Sequence, residues 1–271
     1  MNMDFNLVVD KLNTILSVNA GIFNKVTDLI LLEKYNHIKK KSIKGEYINI
    51  PYKDINIRFF VPNYHTDYIQ KLLVLTQKFY EINLLELFEN LLKKYNVNYK
   101  GKIFIDAGAN IGNHTLFFSK ILQASKIYCF EPQKEIFKTL KKNIRANSVK
   151  AKCYNNVLSD VSENFSFGKF EPDNFGATNF INNADGKYKS LILDDVCLRD
   201  EICVLKIDVE GHELPVLKGA TKILEKYSPV LWVEVKSGLE DVINFLSQFG
   251  YMLVKRDYEN CFFFKTKELL Q

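Results

Sequence analysis

The segment Ile103-Phe104-Ile105-Asp106 is a short apolar run closed by an acid. Ala107-Gly108-Ala109-Asn110-Ile111-Gly112 follows at once, and then a stretch with helical spacing from Asn113 to Leu122. An apolar run, a glycine turn and a helix form the repeating unit of an open α/β sheet, in which glycines let the backbone approach a ligand at the C-terminal edge of the strands. The unit constrains the rest of the chain, because a strand that feeds a helix needs parallel neighbours and cover on both faces. β-rich runs at Lys126 to Phe130, Ala151 to Val157, Cys203 to Asp208 and Val230 to Val235 supply the neighbours. Helical spacing at Gln133 to Ala146, Glu213 to Tyr227 and Gly238 to Gln248 supplies the cover. The last runs, Tyr251 to Lys255 and Asn260 to Phe264, are separated only by Arg256-Asp257-Tyr258-Glu259. That is too short for a crossover helix, so they must pair antiparallel. The fold class is α/β: a seven-stranded, mostly parallel sheet with an antiparallel last strand.

Residues 1 to about 50 read differently. Leu7, Leu12, Ile15 and Leu16, then Val26, Leu29 and Ile30, recur at helical intervals and predict two helices outside the sheet. A β-like segment, Tyr47 to Val61, and a helix, Tyr80 to Tyr95, lead into the first strand. The expected division is an N-terminal helical extension with a β-like linker over residues 1–78 and the sheet domain over residues 79–271. The apolar stripes of the extension lie outside the expected core and suggest a homodimer through those helices.

With 271 residues, 47% of them hydrophobic and 25% charged, the chain can bury a full core. Its apolar stretches are broken well short of the roughly 20 residues that span a bilayer. Met1-Asn2-Met3-Asp4 lacks the basic start and apolar block of a signal peptide, so a cytoplasmic location is expected. Cys129, Cys153, Cys197, Cys203 and Cys261 form no C-x-x-C pair and read as reduced core residues. The net charge of +5 is spread along the chain, densest at Lys39-Lys40-Lys41 with Lys44, and does not call for nucleic acid.

The glycine turn excludes some ligands. A nicotinamide fingerprint needs G-x-G-x-x-G and a P-loop needs Gly-Lys-Ser/Thr; neither is present, which points to an uncharged or cationic adenosyl ligand. The second run ends in Glu131, where a carboxylate can accept hydrogen bonds from both hydroxyls of an adenosine ribose.

Several motifs, in this order, resemble the FkbM family of methyltransferases. They are Phe104 to Gly112, Phe130-Glu131-Pro132, Leu193-Asp194-Asp195, Lys206-Ile207-Asp208-Val209-Glu210-Gly211-His212-Glu213, Val216 to Ala220 and Val233-Glu234-Val235. The resemblance implies a Rossmann-like class I methyltransferase that uses S-adenosyl-L-methionine. It implies that Asp106, Gly108, Ala109, Asn110 and Gly112 surround the methionine part, Glu131 the ribose, Asn156 and Val157 the adenine, and Asp208 the α-amino region. Tyr80 and Glu81, Thr178 in the loop from Phe175 to Asn179, and Glu234 stand on the acceptor side.

Methyl transfer from a sulfonium expels a neutral thioether, so the demands are in-line alignment and removal of the acceptor's proton. His212, just beyond the fourth run, is the candidate base, with Asp208 and Glu210 favouring the sulfonium and the imidazolium that forms. Glu210 and Glu234 remain competing bases, and Asp208 and Glu210 could instead cap the helix that begins near Glu213. Asp208, Glu210 and Glu234 could also hold magnesium, but the reading adopted needs no metal. The expected acceptor is a sugar hydroxyl, on a nucleotide-linked sugar or glycan intermediate in bacterial capsule or other surface-glycan biosynthesis. An RNA ribose 2′-O-methyltransferase and a non-catalytic cofactor-binding scaffold are the alternatives.

Overall fold

A computed structural model of the chain describes residues 47–168, 171 and 173–265. The two helices and the lysine cluster expected before residue 47, with the dimer contact assigned to those helices, lie outside these residues. The described residues from Ile48 to Lys265 cluster as one compact unit. No helix among the described residues is long and apolar enough to cross a membrane.

The expected Rossmann-like sheet is present. Its central strands β3 (Ile103–Ala107), β4 (Lys126–Phe130), β5 (Ala151–Tyr154), β10 (Ile202–Ile207) and β11 (Val230–Glu234) run parallel, and β12 (Tyr251–Asp257) and β13 (Asn260–Lys265) form the antiparallel hairpin. The spatial order is β12-β13-β11-β10-β3-β4-β5. The order reverses on either side of β3, so the C-terminal ends of β3 and β10 flank the crevice where such sheets bind ligands. Alternation along each strand fills both faces. One face packs Ile105, Leu205, Leu231 and Phe263 against Val216, Leu217, Ile223, Leu224, Val242 and Leu246 of the following helices. The other packs Phe104, Trp232 and Phe262 against Phe88 of α2 (Ile82–Lys94) and Phe118 of α3 (Asn113–Lys120), with ring centroids 5.1–6.4 Å apart.

Several elements differ from expectation. The run Ala151 to Val157 is two strands. Asn155 Nδ2 donates to the carbonyls of Glu131 and Pro132 at 2.8 Å each and ends β5. Val157–Leu158 (β6) joins a second sheet with β7 (Asn164–Phe167), β8 (Phe180–Asn182) and β9 (Tyr188–Leu191), in the order β6-β9-β7-β8. The helix expected from Glu213 to Tyr227 is broken into α6 (Glu213–Lys218) and α7 (Thr221–Tyr227). The carboxylate of Asp194, in α5 (Leu193–Cys197), accepts from Lys222 N and Ile223 N at 2.9 and 3.0 Å and caps the second piece. That capping accounts structurally for Asp194 in the Leu193-Asp194-Asp195 motif. The β-like segment is a hairpin, β1 (Tyr47–Tyr52) and β2 (Ile55–Phe60), and α1 (Tyr68–Thr76) follows it unanticipated.

Asn143, fully buried in α4 (Lys134–Ala146), joins the hairpin to the sheet unit. Its Oδ1 accepts from Phe60 N, and its Nδ2 donates to Phe60 O at 3.3 Å and to Ile111 O at 2.8 Å. Asn143→Ala removes all three bonds from a buried place, and should cost about 2–4 kcal/mol of unfolding free energy in urea titrations. A loss under about 0.5 kcal/mol would show that the junction carries no stability.

Candidate functional site

At the edge where β3 and β10 end, the glycine turn lies against the neighbouring strand. Gly108 has φ +78°, and a Cβ built there would collide with the backbone carbonyl of Asp208, so only glycine fits. Gly108 N and Ala109 N donate to Phe130 O at 3.0 and 2.9 Å, closing the turn onto β4. Asn110 is left-handed (φ +49°), with Oδ1 accepting from Ile111 N at 2.6 Å. Glu131 is 4% exposed; Oε2 accepts from Asn110 N at 3.1 Å and Oε1 from Gln133 N at 2.8 Å. Burial pushes its carboxyl up to about 7, against the pull of those two backbone N–H groups.

These groups open onto a cavity of about 440 Å³, a volume in the range of small-ligand sites. Gly108, Ala109, Asn110, Glu131, Asn156 and Val157 line it, as do the acceptor-side candidates Tyr80, Glu81, Thr178 and Glu234 and the catalytic candidates Asp208, Glu210 and His212. Asp106 and Gly112 do not line it. Asp106 is fully buried beneath the turn, accepting from Thr115 Oγ1 at 2.5 Å and lying 3.6 Å from Lys206 Nζ, so it supports the turn from below rather than surrounding the ligand. Gly112 (φ +96°) occupies the N-cap position of α3. Asn156 turns its Nδ2 to Lys189 O at 3.0 Å, which ties the cavity wall to the second sheet. Tyr80 and Glu81 arrive because Asn113, at the start of α3, brackets the Tyr80 peptide, accepting from its N at 3.0 Å and donating to its O at 2.9 Å.

The strand ends carry a cluster of acids. Oxygens of Asp208, Glu210 and Glu234 lie within 4.8 Å of one another, a spacing that could admit a cation. Lys236 pairs with Glu210 and lies 3.6 Å from Glu234. Burial works to raise Asp208, but the Lys206 ammonium 3.0 Å away, with Glu234 as a hydrogen-bond partner, holds its carboxyl below the usual value. Glu234 takes the opposite course: burial, then the Asp208 charge, pushes it up to about 9. Glu81 is pushed up to about 7 by burial and again by Asp208. Neither Asp208 nor Glu210 caps α6; Glu213 Oε1 accepts from Gly211 N at 2.8 Å instead. His212 Nε2 lies 3.0 Å from Ser159 Oγ and the ring meets Phe165 edge-on; burial lowers its basicity and keeps it neutral near pH 7. His114 is buried with Nε2 lacking a hydrogen-bond partner among the described residues, 3.7 Å from Glu81.

Lys206, Lys236, Ser159 and the tip of the β12–β13 hairpin, whose Asp257 to Asn260 also line the cavity, were not picked out from the sequence as site residues. Lys206 left a visible signal, a charge inside the apolar run Val204-Leu205-Lys206-Ile207. The others come near the site only through tertiary packing.

Residues 106–253, more than half of the chain, match the methyltransferase FkbM domain, and the chain belongs to that family. It is 30% identical over 148 residues to the hexuronic acid methyltransferase AglP of Haloferax volcanii, covering 53% of this chain and 60% of that protein. It is 25% identical over 146 residues to methyltransferase 1 of Beauveria bassiana, covering 42% and 57%. The chain thus matches less than two thirds of the length of either relative. Among solved structures, an FkbM methyltransferase from Methylobacillus flagellatus aligns with a TM-score of 0.46 at 20% identity, covering 61% of this chain and 43% of that one.

Glu81, Glu131 and Glu234 all bind protons more tightly folded than at the ordinary value of 4.5. Their contribution to stability is therefore full below pH 4.5 and is lost as pH rises through 7 to 9. Thermal melts should show Tm falling between pH 5 and 9, with Glu234→Gln flattening the fall above pH 7. Identical pH profiles for variant and wild type would contradict the raised Glu234 value.

Proposed function

We propose that this protein transfers the methyl group of S-adenosyl-L-methionine to a hydroxyl of a sugar, with hexuronic-acid acceptors the first class to test. The observation that carries the reading is that one cavity joins the Gly108–Glu131 cradle to a neutral histidine and an acid cluster. The cradle fits the cofactor: Gly108 to Asn110 would hold the methionine part, Glu131 the ribose hydroxyls, Asn156 and Val157 the adenine, and Asp208 would favour the cationic groups. When bound, the cofactor supplies an electrophilic methyl group on a sulfonium. The remaining tasks fall to this chain's residues. His212, neutral at pH 7, accepts the hydroxyl proton; Asp208 stays ionised and favours positive charge nearby. Glu234, raised to about 9, is protonated at neutral pH and so is a poor competitor as base. Tyr80, Glu81, Thr178 and Glu234 stand on the acceptor side.

The relative AglP, named for hexuronic acid methylation, supports the sugar class. A nucleotide-linked or glycan-bound form of the acceptor, in surface-glycan biosynthesis in the cytoplasm, extends the same reading.

The test follows S-adenosylhomocysteine release over a panel of hexuronic-acid glycans. His212→Ala should lower kcat by about 10²–10⁴ with cofactor Kd unchanged. In wild type, kcat/KM should fall on the acid side of pH 6.5, where the lowered His212 takes up its proton. Glu131→Gln should weaken cofactor binding by roughly tenfold or more in calorimetry. Undiminished turnover by His212→Ala would remove the histidine from the mechanism.

A further inference from the structure

The hairpin tip between β12 and β13 forms part of the cavity mouth. Asp257 and Asn260 pair across it, leaving Tyr258 and Glu259 as a two-residue turn. The tip is held firmly. Val235 N donates to Glu259 O at 2.7 Å, Trp232 Nε1 to Asn260 Oδ1 at 2.7 Å, and Arg256 Nε to Tyr258 O at 2.8 Å, while Asn260 stands in register with Glu234.

Tyr258 is anomalous in two ways. Its φ is +52°, a left-handed conformation at the first position of a tight hairpin, where glycine, asparagine or aspartate is favoured and a bulky side chain is strained. Its side chain is 81% exposed, and of the exposed large apolar side chains among the described residues it alone lines the cavity. A strained, uncovered ring on a rigid tip calls for a function, since folding gains nothing from it. The neighbouring mouth is polar, with Glu234, Lys236, Asp257 and Glu259.

We propose that Tyr258 is the specificity-determining platform of the acceptor subsite, stacking on the C–H face of a pyranose ring while the polar groups beside it meet the ring's hydroxyls. The inference rests on the sugar-acceptor reading above and deepens it. An aromatic ring offers a flat apolar surface with a polar tip, which suits a sugar with one C–H face and a hydroxyl rim. Because the tip is bonded to the end of β11, the Tyr258 backbone is fixed relative to Glu234, and the ring it carries stands at the cavity mouth.

The experiment compares Tyr258→Asn and Tyr258→Phe with wild type, measuring Tm, cofactor Kd, and KM and kcat on hexuronic-acid glycans. Asparagine tolerates the left-handed turn, so that variant should melt at or above the wild-type temperature and bind the cofactor unchanged. Its KM should rise by roughly tenfold with kcat within about twofold, the size expected of one lost aromatic contact. Tyr258→Phe, which keeps the ring, should hold KM within about twofold. An unchanged KM in Tyr258→Asn, with wild type active on sugars, would overturn the platform alone. A wild type silent on every sugar while binding the cofactor would overturn the acceptor class and the platform with it.

Discussion

A buried lysine holds the site together. Lys206 is 2% exposed, in register with Asp106 on the adjacent strand, and its ammonium reaches Asp208 at 3.0 Å, the Gly108 carbonyl at 3.3 Å and Asp106 at 3.6 Å. Burial would lower a lone lysine, yet Asp208 and Asp106 keep this one charged. Charges so placed add little net stability, because desolvation offsets their attraction; removing one partner is costly, about 3–5 kcal/mol, since it strands the others. The gain is positional. Two strand ends and the glycine turn between them are tied to one point, and the tight approach of Gly108 to Asp208 becomes possible.

The same clamp sorts the acids. Burial raises Glu234 and Glu81 first, and Asp208, held ionised by Lys206, adds its charge to both shifts. Neighbouring carboxyls thereby take different protonation states at one pH, the pattern by which a single site separates its roles. His212 lies apart, against Ser159 and Phe165 of the segment leading into and through the second sheet, and is held neutral by burial rather than by these charges. The cavity thus pairs an ionised Asp208 with a neutral imidazole, the charge arrangement that the proposed reaction of a cationic methyl donor with a hydroxyl needs.

Much of this was legible in the sequence because it depends on local periodicity. The run from Ile103 to Asp106, the two-sided apolar strands and the short link before Asn260 carry the sheet and its final hairpin without tertiary information. The second sheet was not legible: its strands are two to four residues long, too short for alternation to register. Asp106 was misplaced because a strand-end acid beside a glycine turn looks the same whether it faces a ligand or a buried ammonium. Only the register with Lys206 separates the two. The break at Gly219 likewise depends on Asp194, distant in sequence, capping the second helix.

The clamp is tested most directly by calorimetric titration of S-adenosylhomocysteine into wild type and Lys206→Met, the variant first shown to be folded by circular dichroism. If the Lys206 clamp forms the proposed cofactor edge, the variant binds at least roughly tenfold more weakly, because the turn and Asp208 lose their common anchor. Equal affinity in a folded Lys206→Met would mean that the turn holds itself, and that the lysine is not what builds the site.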